Sequence, residues 1–137
     1  MTITNELKTR RIDFIKLESV KVHYPSHRME IGIQTENIQA KFNNHIWVSN
    51  SNIEKFLDDL SILDKNRKGQ ATLESMNPGK FQLTFKAIDD LGHLSVTCQY
   101  LKEDRINNDY SYVIKAEFQV DPISLTTIKI DFLDLMK

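Results

Sequence analysis

A chain of 137 residues, 40% hydrophobic and 27% charged, is long enough to bury one core and is expected to form a single domain over residues 1–137. Its net charge of −1 and pI near 6.4 provide no overall positive field, which excludes nucleic acid and anionic membrane as partners held by bulk charge. Cys98 is the only cysteine, so no disulfide forms within the chain, and no apolar run reaches signal-peptide length or the roughly 18 residues that span a bilayer; a cytoplasmic protein is expected.

Residues 1 to 8 are polar and without a clear period, which predicts a loosely ordered leader. From Arg10 the chain alternates: Ile12 and Phe14 share one parity, Ile15 and Leu17 take the other, and Val20, Val22 and Tyr24 restore the first. One slip of parity in a long strand predicts a bulge or break near Ile15. Pro25 cannot donate to a ladder, so residues 23–27 read as an exposed turn before a strand through Met29, Ile31 and Ile33. A third strand is expected through Ile38, Ala40 and Phe42, with a tight turn at Asn43-Asn44 leading to Trp47.

Ser51 and Glu54 have capping-box spacing and predict the start of the first helix, with Ser49 as a rival cap. Ile53, Phe56, Leu57, Leu60 and Leu63 form one apolar stripe, whose burial against a sheet is worth about 1.5–3 kcal/mol per large side chain before entropy is charged. Lys65, Arg67 and Lys68 complement the negative helix end, and Gly69 turns the chain back. Ala71, Leu73 and Ser75, then Phe81, Leu83 and Phe85, then Leu94, Val96, Cys98 and Tyr100 each alternate with polar residues, so each run is a half-buried strand. Asn77-Pro78-Gly79 suits a type II turn, and Asp89-Asp90-Leu91-Gly92 marks a second hairpin. A polar loop is expected over 103–109, followed by a long strand from Tyr112 to Val120. Asp121 as N-cap and Pro122 at the first helical position predict the second helix, with Leu125, Ile128, Phe132 and Leu135 on its buried face. The fold class is α+β: a mainly antiparallel sheet of about six to eight strands with two amphipathic helices, one mid-chain and one C-terminal.

No catalytic constellation interrupts this pattern. His23 and His27 are four apart, but Pro25 between them breaks the helix that would put both rings on one face, and no metal or cofactor is expected. The spacing lacks a serine nucleophile motif and a glycine-rich phosphate loop, and Cys98 has core parity rather than the exposure a nucleophile needs. Adjacent carboxylates on a helix diverge by about 100°, which makes Asp58 with Asp59 a poor catalytic pair. With Glu54, and with Asp64 further along the helix, however, they form an acidic edge beside the core stripe, suited to a basic partner surface. Trp47, just before the helix cap, is expected to plug the end of the core, with an interface anchor as its other possible role.

From Trp47-Val48 onward, through Ile53 with Phe56-Leu57 and Leu60, Gly69-Gln70-Ala71-Thr72-Leu73, Phe81 to Phe85, Gly92 to Val96 and Phe118 leading to Asp121-Pro122, the layout resembles small bacterial immunity proteins of the WapI type. It departs from them at Glu74-Ser75, where those proteins tend to carry Glu-Pro. The resemblance implies a non-enzymatic protein-binding module that neutralises a cognate toxin by direct binding. Glu54, Asp58 and Asp59 are the candidate partner contacts, and a homodimer through an exposed strand edge is a further possibility. The alternative is a small ligand-binding or enzymatic domain with a pocket between sheet and helix, lined by His45 or His93.

Overall fold

The computed structural model describes the backbone of residues 1–41, 45–103 and 111–137; Phe42, the expected Asn43-Asn44 turn and nearly all of the expected 103–109 loop lie outside the described residues. In chain order the elements are β1 (Thr2–Thr4), β2 (Arg11–Val20), β3 (Ser26–Gln34), β4 (Gln39–Lys41), β5 (Ile46–Ser49), α1 (Asn50–Asn66), β6 (Gln70–Glu74), β7 (Phe81–Ala87), β8 (Leu94–Glu103), β9 (Ser111–Val120) and α2 (Ser124–Leu135). The fold is α+β with antiparallel pairing throughout, as the alternation implies. The nine described strands divide into two sheets rather than one. In the first, β1, β2 and β3 lie side by side, and the far edge of β3 is shared end to end by β4 and β5. In the second, β6, β7, β8 and β9 follow one another.

One ring cluster joins these parts. Phe14 of β2 meets Phe81 of β7 edge-on at 6.1 Å, which links the sheets. Phe132 of α2 lies 6.0 Å from Phe14 and 5.1 Å from Phe56 of α1, and Phe56 in turn lies 6.1 Å from Phe85 of β7. Offset and edge-to-face rings at these separations add to the stabilisation from burying them.

Residues 2–4 do not behave as a loose leader. Thr2–Thr4 pair with Asp13–Arg11, Ile3 is 1% exposed, and the Met1 amine donates to the Phe14 carbonyl at 3.0 Å. Asn5 closes this hairpin: its side-chain oxygen accepts from the Arg10 N–H at 2.9 Å and its carbonyl from Lys8 N–H at 3.0 Å. The parity slip of β2 falls between Lys16 and Glu18, leaving Leu17 unpaired, two residues beyond the expected position.

The cap of α1 is Ser49 rather than Ser51. β5 runs through Ser49 with ψ 154°, and that extended backbone lets its hydroxyl accept from Asn52 N–H at 3.1 Å. Ser51 is already helical and only touches the Ser49 hydroxyl, at 3.1 Å. Every residue of the expected stripe is buried. At the other end Arg67, not Gly69, is the first left-handed residue, with φ 55°, and its N–H donates to the Leu63 carbonyl at 2.8 Å. Its guanidinium holds the Asp64 carbonyl at 2.8 Å and the carboxylate at 2.9 Å, which offsets the cost of positive φ for a residue with a Cβ.

Lys80 N–H donates to the Asn77 carbonyl at 3.2 Å and Gly79 has φ 82°, so the type II turn forms where Pro78 and Gly79 dictate. Asp121-Pro122 precedes α2 rather than beginning it. The Asp121 carboxylate accepts from Ile123 N–H at 3.0 Å and its carbonyl from Ser124 N–H at 2.9 Å, a turn that leads into the helix. At the C-terminal end of α2 Met136 and Lys137 N–H donate to the Leu133 and Asp134 carbonyls at 3.2 Å each, and Lys16 of β2 donates to the Leu135 carbonyl at 3.1 Å.

Candidate partner-binding surface

Helix α1 turns its stripe to the core and therefore sets the positions of its acids. Glu54 and Asp58, one turn apart, lie on the same flank; both are exposed and neither has an ion pair among the described residues. Asp59 is set apart from them: about 100° further round, it is half-buried and 3.9 Å from Lys55. Asp64, at the end of the same helix, serves the fold instead. Its carboxylate takes Arg67 at 2.9 Å and Lys129 of α2 at 3.1 Å, fastening the two helices together. The structure thus brings Glu54 and Asp58 together as an uncompensated anionic flank and leaves Asp59 on the other side.

The histidines disperse. His23 sits in the β2–β3 turn with φ 69°. His27 is not an exposed turn residue: it is 1% exposed, because β3 begins at Ser26, immediately after Pro25. Its Nδ1 lies 2.8 Å from Ser19 Oγ and its Nε2 2.6 Å from Asn50 Oδ1, so it ties β2 to the first residue of α1. His93 Nδ1 lies 2.5 Å from the Asp89 carboxylate, and that hydrogen bond holds the Asp89 carboxyl below its usual range. Among the described residues no three metal-ligating side chains converge. Cys98 is buried against Leu83, and desolvation pushes its thiol up to about 12, which keeps it protonated and inert.

The seam between α1 and the second sheet, where the alternative reading needs a pocket, is filled by Phe56 and Phe85. The grooves lie elsewhere. One of about 450 Å³ separates the Asn5–Leu7 turn and His93 from the end of β9. Another of about 420 Å³ runs between β2 and the C-terminal end of α2, with Lys16, Asp131 and Asp134 on its walls. A third, of about 320 Å³, is bordered by His45, Trp47 and Lys80.

Trp47 is not the plug of the core. Ile46 and Val48 point inward and are buried, which by the period of two turns Trp47 outward, half-buried, opposite Arg28 of β3. Its backbone still braces the junction of the sheets, its carbonyl accepting from Met76 N–H at 2.7 Å. Beside it lies a polar cluster on the outer face of the first sheet. Glu18 pairs with Arg28 at 2.8 Å, Lys41 with Glu30 at 3.1 Å, and His45 approaches Glu30 at 3.9 Å, while Arg28 Nε is buried without a partner. Inspection of residues one at a time passes over this cluster. Its signal is the outward phase of Arg28 and Glu30, which alternate with the buried His27, Met29 and Ile31.

Among known proteins, the family model described as the immunity protein WapI-like family matches residues 6–134, nearly the whole chain. No curated protein and no solved structure matches it.

Proposed function

The chain belongs to the WapI-like immunity protein family, and from that premise we propose that it is a non-enzymatic binding protein that neutralises a cognate bacterial toxin by direct contact, covering the toxin's active site. The observation that carries the contact surface is the pair Glu54 and Asp58, two exposed carboxylates on one flank of a packed helix with no ion-pair partner among the described residues. Asp59 lies on the other side of the helix, outside this surface, where Lys55 already approaches it. Fixed anions on a helix that need no rearrangement attract a basic surface, and their main effect is on the rate and register of encounter. The encounter takes place in the cytoplasm, a location with which a lone, buried, unoxidised thiol is compatible.

The test is capture from the native host followed by charge reversal. A toxin, encoded next to this protein, is expected to enrich with it, and Glu54→Lys with Asp58→Lys is expected to weaken protection from that toxin. Failure to enrich any protein partner would remove the toxin-binding reading. Full protection by the reversed variant would remove the α1 flank and leave the partner to bind elsewhere.

A further inference from the structure

The second sheet has two edges of different character. At one, β6 is overlaid by α1, which packs along it. At the other, β9 pairs with β8 over Ser111–Val120 and with no further strand among those described. Ten residues of edge strand without a bulge, a proline or a lysine turned into the sheet are a template for another strand. Its apolar positions are also incompletely covered: Tyr112 is 48% and Val113 55% exposed, and Ile114 is half-buried.

The charges on β9 select the occupant. Lys115 and Glu117 are both exposed, face the same side of the sheet and have no ion pair among the described residues; their neighbours on β8 are the uncharged Gln99 and Thr97. We propose that β9 pairs antiparallel with β9 of a second copy of this chain, about a twofold axis at Ala116, which makes one continuous eight-stranded sheet from two four-stranded ones. In that register Lys115 stands opposite Glu117 of the second copy, and the twofold repeats the pair. Ile114 falls opposite Phe118 and Tyr112 opposite Val120, so the apolar face of each strand meets the apolar face of the other. Shifting the axis to residue 115 or 117 keeps the faces matched but sets lysine against lysine or glutamate against glutamate. The axis at Ala116 is therefore favoured by charge, and it also pairs nearly the full length of the strand.

Sedimentation equilibrium on the full chain, at low salt and up to about 100 µM, tests this without reference to any toxin. The wild type is expected to show a reversible dimer. Lys115→Glu alone and Glu117→Lys alone should each raise the dimer dissociation constant about tenfold or more, because each turns two attractive pairs into two repulsive ones. The double variant Lys115→Glu with Glu117→Lys should recover dimerisation. Circular dichroism and the denaturation midpoint, measured well below the dimer dissociation constant and unchanged across the four proteins, separate lost pairing from lost folding. A wild type monomeric at 100 µM would overturn the proposal, as would a dimer indifferent to the single reversals or a double variant that stays monomeric.

Discussion

Helices α1 and α2 pack on the same ring cluster but are held in place by different means. α1 is closed by its own neighbourhood: Ser49 caps one end, and Arg67 folds back on Leu63 and Asp64 at the other. α2 has no side-chain cap at Ile123, the residue before it, and while Met136 and Lys137 N–H take the Leu133 and Asp134 carbonyls, its Leu135 carbonyl is met by Lys16, 119 positions away in sequence. A helix with local closures keeps its geometry whatever docks on it, so its outer flank can be given over to unpaired acids. A helix tied at its end to a distant strand has its position set by packing, with Phe132 against both Phe14 and Phe56 at the centre of that packing.

The contrast can be broken by substitution. Phe132→Ala removes contacts to both Phe14 and Phe56 and is expected to cost about 3–5 kcal/mol, read as a lower denaturant midpoint. Cys98 reports the same event independently. Its thiol is buried and pushed up to about 12, so labelling at neutral pH requires opening of the second sheet, and Phe132→Ala should accelerate it by two orders of magnitude or more. Ser49→Ala deletes the α1 cap and should cost about 1 kcal/mol by denaturation. Lys16→Met removes the donor to the Leu135 carbonyl alone and should cost about 0.5 kcal/mol or less. A loss equal to that of Ser49→Ala would show that α2 too depends on its end closure. Glu54→Gln with Asp58→Asn should leave the midpoint unchanged, since neither carboxylate has an ion-pair partner among the described residues.

What the sequence makes legible follows the same division between local and distant. The α1 stripe, the Asn77-Pro78-Gly79 turn and the core parity of Cys98 depend on residues within a few positions of each other, and they appear as the pattern requires. The cap of α1 differs by two residues because Ser49 and Ser51 are chemically alike, and the extent of β5 decides between them. β1 is invisible to periodicity, having three residues and depending on Arg11–Asp13 to form. The split into two sheets is likewise invisible, since alternation identifies strands but not which strands are neighbours. His27 escapes for a related reason: Pro25 correctly signals a turn, yet its burial comes from Asn50 and Ser19, which the turn signal does not report. For the surface, Glu54 and Asp58 could be placed together by helical spacing alone. The use of Asp64 in joining α1 to α2, and the outward aspect of Trp47, required the packing.

That a partner meets the acidic flank of α1, as proposed, is tested most directly by association kinetics with the toxin that capture from the host is expected to yield. Glu54→Lys with Asp58→Lys is expected to slow association about tenfold at low salt, with the difference shrinking as salt rises and the denaturation midpoint unmoved. An association rate equal to that of the wild type across the same salt series would contradict it.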